Sequence, residues 1–248
     1  MKISALIITK DEERQIADCL ASLVFADEIV VVDSGSSDRT EEICRRDPRV
    51  RWFREPWQGF GPQKNSALEK ARNEWVFSVD ADERVTPELA AEIASLDRAA
   101  ANADGFRVPR RSFFGTRCVR HGGWYPDYTI RLWRRGAGRF VDRSVHEVVR
   151  VQGEVGTLRG DLLHYTYRDT EDFLRRMNRY STLAAGELRR QGARATMFDL
   201  ALRPPFTFFR MFVLRAGFLD GGLGFRLAVL YAMYTFSKYS KLRDADEG

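Results

Sequence analysis

Trp75-Val76-Phe77-Ser78-Val79-Asp80-Ala81-Asp82-Glu83 is an apolar run that ends abruptly in acids. A run this short and this apolar predicts a strand covered on both faces, as the inner strands of a parallel sheet are. Two earlier segments share the build: Ile3-Ser4-Ala5-Leu6-Ile7-Ile8, and Glu28 with Ile29-Val30-Val31-Val32. A shorter strand is predicted at 50–53. Between the strands the period changes. Segment 11–23 sets Ile16, Leu20 and Leu23 at helical spacing. Asp38 offers a helix cap with Glu41 and Glu42 in the first turn, and 61–72 reads as a third helix. Strands alternating with helices predict a doubly wound α/β domain with a mostly parallel sheet.

Open sheets of this kind bind ligands in the crevice at the carboxyl ends of their strands. The residues just after the strands therefore outline a site: Thr9-Lys10-Asp11-Glu12, Asp33-Ser34-Gly35-Ser36-Ser37-Asp38 and Asp80-Ala81-Asp82-Glu83. All three segments are polar and acidic. Asp80 and Asp82, one residue apart on a turn, can offer oxygens to a hard cation. Mg²⁺ or Mn²⁺ takes few protein carboxylates alongside substrate phosphates. Such a cation would neutralise a departing diphosphate. A lone D-x-D is a weak signal, and its place behind a buried strand gives it weight. In segment 33–38, Gly35 permits a tight turn. The hydroxyls and carboxylates there can read a base and ribose, or can simply cap the following helix.

Beyond Pro87 a helix is expected to about residue 101. Strands follow at 104–114, 122–133, 140–151 and 162–167, partly antiparallel, and then a helix at 172–190. Pro204-Pro205 punctuates the chain. Segments 206–219 and 225–239 are apolar on nearly every face of a helical wheel, with Asp220-Gly221-Gly222 as the turn between them. A helix apolar all round is either buried or in contact with lipid. Neither reaches the roughly 18 residues needed to span a bilayer. The expected organisation is a catalytic domain at 1–168, divided into a nucleotide-binding half, 1–83, and an acceptor half, 84–168. A helical region, 169–248, follows. Its hairpin, 206–240, either lies in a membrane interface with its Arg and Lys on anionic head groups or packs on the main domain or a second subunit.

The chain has 248 residues, 44% hydrophobic and 30% charged, enough for a proper core under a soluble surface. The net charge of +5 suits an anionic partner: nucleotide phosphates, an anionic membrane face or nucleic acid. Cys19, Cys44 and Cys118 have no paired spacing, which argues against a disulfide framework and a zinc site and fits a reducing compartment. The first residues read as a strand rather than a signal segment. A cytoplasmic protein is the expectation.

Ile7-Ile8-Thr9-Lys10-Asp11-Glu12, Val32-Asp33-Ser34-Gly35-Ser36-Ser37-Asp38-Arg39-Thr40 and Val79-Asp80-Ala81-Asp82-Glu83 resemble, in order and spacing, the three signature blocks of family 2 glycosyltransferases. Gly61-Pro62-Gln63-Lys64-Asn65-Ser66-Ala67 resembles the family's segment ahead of the D-x-D strand. Four later blocks are Gly122-Gly123-Trp124-Tyr125-Pro126-Asp127, Arg131-Leu132, Val145-His146-Glu147 and Phe218-Leu219-Asp220-Gly221. They are similar to the branch of glucosyltransferases that builds the bacterial lipopolysaccharide core, so the likeness covers nearly the whole chain.

The resemblance implies a GT-A fold, the Rossmann-like nucleotide-diphospho-sugar transferase fold, with a helical appendage at its C-terminal end. It implies that Thr9, Glu12 and Asp33 hold the uracil and ribose of a UDP-sugar, UDP-glucose being the expected donor. Lys64 would lie near the base or diphosphate, Asp80 near the ribose, and Asp82 would be the main ligand of Mg²⁺ or Mn²⁺. The family inverts the anomeric centre and needs one general base. The family's Glu-Asp pair is missing from the expected region, since Glu171-Asp172 comes later and starts a helix. Glu147, beside His146, is the first candidate and Asp127 the second. His164 can serve as a further metal ligand or as a structural histidine. Arg131 can counter diphosphate charge or sit on a strand surface.

The acceptor implied is a phosphorylated glycolipid, a lipooligosaccharide core, at the inner face of the inner membrane. The basic segments 107–111 and 131–139 and the terminal hairpin would suit it. Oligomerisation through the C-terminal helices stays open. A nucleotidyltransferase would carry a Gly-rich loop after the first strand, and Thr9-Lys10-Asp11-Glu12 has no glycine. A non-catalytic nucleotide-sugar or nucleic-acid binder fits the charge, but acids behind three strands would repel phosphate without a cation. No nucleic-acid partner is expected.

Overall fold

The structure is a computed structural model that describes residues 1–96, 103–141 and 148–247. The described residues sort into two compact units. The first is drawn from 1–110, 128–141 and 148–164, the second from 111–127 and 165–247.

In the first unit, β1 (Ile3–Thr9), β2 (Glu28–Asp33), β3 (Val50–Arg54) and β4 (Trp75–Ser78) are parallel and lie side by side in the order β3-β2-β1-β4. Successive residues of a strand face opposite sides of the sheet. Ile3, Ala5 and Ile7 of β1 join Ile29 and Val31 of β2 in one core, and Leu6, Val30 and Val32 join a second core on the other face. Both faces are therefore covered. Helix α1 (Ile16–Ser22) closes the first face with Ile16, Cys19 and Leu20, and α2 (Thr40–Cys44) adds Cys44. Helix α3 (Phe60–Lys70) closes the second face with Ala67 and Leu68.

Further elements follow: β5 (Glu83–Val85), α4 (Pro87–Ala94), β6 (Gly105–Phe114), β7 (Arg117–Cys118), β8 (Asp127–Arg134), β9 (Gly138–Val141), β10 (Val148–Val151), β11 (Val155–Thr157) and β12 (Leu162–Tyr167), of which β9 and β10 pair as a separate two-stranded sheet. The sheet continues from β4 through β8, β6 and β12 to β5. Two registers place the site. Antiparallel β8 sets Leu132 opposite Phe77, which brings Arg131 beside Ser78. Antiparallel β12 sets His164 opposite Glu83.

Several boundaries differ from the sequence expectation, each for a local reason. Helix α1 starts at Ile16 rather than near 11, because Asp11 takes a left-handed backbone with φ 54, which an α-helix cannot include. Segment 122–126 is a turn rather than strand, since Gly122 and Gly123 have φ of 70 and 88. The single strand expected at 140–151 is two strands, β9 and β10, paired antiparallel with Phe140 opposite Val149. Residues 142–147, and with them the candidate base Glu147, lie outside the described residues, as do 97–102 beyond the observed end of α4.

In the second unit, α5 (Thr170–Arg190), α6 (Met197–Phe209) and α7 (Gly222–Glu247) surround a small core of Phe114, Val119, Phe173, Leu223, Leu227 and Leu230. Asp169 caps α5 by accepting from the Asp172 amide at 2.8 Å. Thr196 and Asp199 form a reciprocal capping box at the start of α6. Pro204-Pro205 was expected to end one segment before a helix at 206. Instead both prolines lie inside α6. Each removes the hydrogen bond to the carbonyl four residues earlier, at Leu200 and Ala201, and the outer side of that turn is open to solvent. A π-helical turn at Arg210–Leu214 and a 3-10 turn at Gly217–Asp220 then reverse the chain into α7. The three cysteines are free, with Cys19 and Cys44 buried. Among the described residues, no helix is long and apolar enough to cross a membrane.

Candidate functional site

The ends of β1, β2 and β4 and the loops behind them, all in the first unit, hold Thr9, Glu12, Asp33, Asp80 and Asp82. The first two loops are stitched together by side chains that bond the opposite backbone. Asp11 Oδ1 accepts from the Ser37 amide at 2.7 Å, and the Asp11 amide donates to Ser36 Oγ at 2.8 Å. The Glu12 amide donates to Thr40 Oγ1 at 2.8 Å and the Glu13 amide to Asp38 Oδ2 at 2.9 Å. Burial pushes the Asp38 carboxyl up, but bonds from Thr40 and the Glu13 amide outweigh it and hold it below the usual carboxylate range.

Asp33 is fully buried. Its carboxylate accepts from the amides of Gly35 and Ser36, both at 2.9 Å, and from the Ser36 hydroxyl. Gly35, with φ 92, supplies the turn that lets these amides point back. Asp33 thus shapes its loop from within, which the sequence alone did not reveal. Thr9 ends β1 with its Oγ1 buried and without a hydrogen-bond partner. Both amide atoms of Gln63, on α3, share that condition. Buried polar groups left unpaired cost free energy, and Thr9 and Gln63 together leave three such atoms in the first unit. Gln63 was not singled out from the sequence, although it stands next to Lys64 in the Gly61–Ala67 block.

The third loop carries the charge. Lys64 reaches from α3 to Asp80, Nζ to Oδ1 at 2.8 Å, with its ammonium 5.7 Å from the Phe140 ring centroid. Arg131, buried on β8, reaches Asp80 Oδ2 at 3.3 Å and also pairs with Glu83. Burial pushes the Asp80 carboxyl up, yet Lys64 and then Arg131 overcome it and hold it well below the usual range. Glu83 is fully buried, and accepts from the Asp80 amide at 2.9 Å while Arg110 stands 3.6 Å away. Burial first, and Asp80 as a like charge, push the Glu83 carboxyl up against the pull of Arg131. Arg84 clamps the loop from behind, donating to the carbonyls of Ala81 at 3.0 Å and Glu83 at 2.8 Å and to Gln15 Oε1 at 2.7 Å.

Asp82 points elsewhere. Its Oδ2 lies 3.5 Å from His164 Nε2, and neither side chain is more than a quarter exposed. The two aspartates of the motif are therefore differently employed. Asp80 is saturated by two cations, while Asp82 faces one imidazole. An oxygen and a nitrogen donor 3.5 Å apart form a donor set that a divalent cation can use, and among the described residues no third His, Cys, Asp or Glu joins them. Two protein ligands suit Mg²⁺ or Mn²⁺, which leave the remaining positions to water and phosphate.

Asp127 opens β8, half-buried, in the second unit. There two distant blocks meet. Asp220 Oδ1 lies 2.9 Å from His121 Nδ1, and Oδ2 accepts from the amides of Arg120 and His121 at 3.1 and 2.8 Å. The pair ties the 3-10 turn to the glycine loop at 122–123.

A model of glycosyl transferase family 2 matches residues 4–150. The lipopolysaccharide core biosynthesis glycosyltransferase LpsC of Rhizobium meliloti is 34% identical over 253 residues, covering 98% of this chain and 92% of that protein. A glycosyltransferase of Rickettsia typhi is 30% identical over 256 residues, with 98% and 87% covered. Among solved structures, the mannosyltransferase PcManGT from Pyrobaculum calidifontis, in complex with GDP-Man and Mn²⁺, superposes with a TM-score of 0.57 at 15% identity, over 97% of this chain and 86% of that one. S. aureus TarS 1-349 in complex with UDP-GlcNAc gives 0.52 at 16% identity, over 100% and 92%. At such identities the likeness is one of fold, and that fold is GT-A.

Proposed function

The chain belongs to glycosyl transferase family 2 and is a glycosyltransferase of GT-A fold, and from there we propose that it moves a sugar, with inversion, from a UDP-sugar to the core saccharide of a lipopolysaccharide. Glucose is the sugar the reading favours. The acceptor class comes from LpsC, the relative whose likeness spans nearly the full length of both chains. The observation that carries the chemistry is the division of labour between Asp80 and Asp82. Lys64 and Arg131 fix Asp80 as a permanently ionised hydrogen-bond acceptor for the ribose. Asp82, with His164, would hold Mg²⁺ or Mn²⁺, and the ion when bound supplies charge neutralisation for the leaving diphosphate. Thr9 and Gln63 offer the unpaired polar atoms that a uracil and ribose would satisfy. Glu12 contributes from the same wall, and Asp33 by holding the 33–36 turn in shape.

The test of the donor is a thermal-shift panel of nucleotide sugars with Mn²⁺. One UDP-sugar at a hundred times its Kd should stabilise the protein by about 2.7 kcal/mol, with GDP-sugars well behind. Equal shifts from every nucleotide, or none from any, would remove the donor assignment.

The general base is Glu147 first and Asp127 second. A carboxylate that takes the acceptor proton contributes about 10²–10⁴-fold to turnover. Glu147→Gln is expected to lower kcat by that order while donor binding holds, and Asp127→Asn to stay near wild type. The opposite pattern transfers the role to Asp127. The acceptor being lipid-borne, the enzyme works as a peripheral protein at the inner face of the inner membrane. The second unit is the part of the chain built to meet that surface.

A further inference from the structure

The second unit presents apolar side chains to solvent along two adjacent helices. On α6 they are Phe198, Leu202, Phe206 and Phe209, spaced by four, four and three residues, which is one stripe of a helix, and Val213 follows on the π-helical turn. On α7, Phe225, Val229, Met233 and Phe236 repeat the pattern. The helices are held side by side by Thr207 against Thr235, Oγ1 to Oγ1 at 3.1 Å, and by Phe208 edge-on to Phe225 at 5.6 Å. At the turn between them Leu214 and Leu219 are 62% and 60% exposed. Over the α7 stripe runs an open apolar furrow of about 510 Å³, lined by Met177 of α5, Pro204 and Phe208 of α6, and Val229, Met233 and Phe236 of α7. A face of this extent on a water-soluble surface marks an interaction site.

The charges around the face say what covers it. From 199 to 242 the sequence has six bases, Arg203, Arg210, Arg215, Arg226, Lys238 and Lys241, and two acids, Asp199, which pairs with Arg203 at 2.5 Å, and Asp220. Asp220 is already engaged by His121 and two backbone amides. Arg203 and Lys238 share the Tyr239 ring, at 4.6 and 4.7 Å from its centroid. A second copy of the chain, docked through the same face about a two-fold axis, would bring one cationic cluster against another. An anionic leaflet would neutralise them while its acyl region receives the phenylalanines. No described helix is both long and apolar enough to cross a membrane, so an element lying along the surface is the arrangement in keeping with these helices.

We propose that the α6–α7 hairpin is a membrane-docking element whose paired aromatic stripes enter the interface of an anionic lipid leaflet, with Arg203, Arg210, Arg226 and Lys238 at head-group level. This deepens the reading of a lipid-borne acceptor and rests on it only for its biological purpose. The test is flotation of the full chain with vesicles of phosphatidylcholine alone and of phosphatidylcholine with a quarter phosphatidylglycerol. The wild type is expected to float with the anionic vesicles and to be released by high salt. The triple variant Phe206→Ser, Phe209→Ser, Leu214→Ser, which changes only exposed positions, should lose vesicle affinity by about tenfold or more. Its UDP-sugar thermal shift should stay unchanged, which also verifies the fold. Equal flotation of variant and wild type would overturn the proposal. So would a wild type that ignores vesicles and is a dimer by light scattering, with the variant monomeric. Loss of the donor shift in the wild type would instead strike the glycosyl-transfer reading and leave the docking result standing.

Discussion

Asp82→Ala is expected to abolish transfer, lowering kcat by about a thousandfold or more, because metal stabilisation of a developing diphosphate is worth several kcal/mol. The fold should hardly notice. Asp82 lies in a loop, part exposed, with His164 at 3.5 Å, so the cost in stability is expected to stay within about 1 kcal/mol. Turnover and a thermal melt on the same preparation check both halves. In the wild type, added Mn²⁺ should raise the melting temperature in the presence of UDP, and in Asp82→Ala that increment should vanish. A variant that keeps its turnover would remove the metal assignment altogether. His164→Gln should fall between the two, since the amide oxygen can still coordinate weakly.

The second large effect belongs to Arg131→Met, and it is one of stability. Arg131 is buried between Asp80 and Glu83, and Glu83 has no exposure to water. Removing one partner of a buried pair leaves a charge without compensation and costs about 3–5 kcal/mol. Urea unfolding should show that loss as a lowered midpoint with an unchanged slope. The deficit should depend on pH with a definite sign. Burial already raises the Glu83 carboxyl, and without Arg131 it rises further. A raised group stabilises the fold below its unfolded pKa and loses that contribution as the pH climbs through the folded value. The variant should therefore be closest to wild type near pH 5 and furthest from it near pH 8. Adding Glu83→Gln to Arg131→Met should recover part of the loss at pH 8. A deficit that shrinks as pH rises would mean that Glu83 is not the group left stranded.

The sheet was legible because both of its faces are buried. Ile29-Val30-Val31-Val32 has no polar residue to mislead, and strands of that kind announce themselves as uniform runs. Their ends were legible too, since acids after an apolar run have to mark where the strand leaves the core. What each acid does there was not legible. Asp33, Asp80, Asp82 and Glu83 look alike in sequence, yet one shapes a turn, one is held by two cations, one faces a histidine and one is sealed inside. Those differences arise from partners far along the chain, Arg131 on β8 and His164 on β12, whose arrival depends on strand register. The start of α1 was misplaced because the left-handed backbone at Asp11 comes from its bonds to Ser36 and Ser37, 25 and 26 residues away. The prolines of α6 misled for the opposite reason. Their local preference is real, but a helix open to solvent tolerates the carbonyls they release.

The crossed bonding of residues 11–13 with 36–40 locks the two loops to each other through the protein's own groups. Four side chains and the amides they grip already fix their outline. If these loops receive the donor as proposed, little chain entropy is left to lose on its capture.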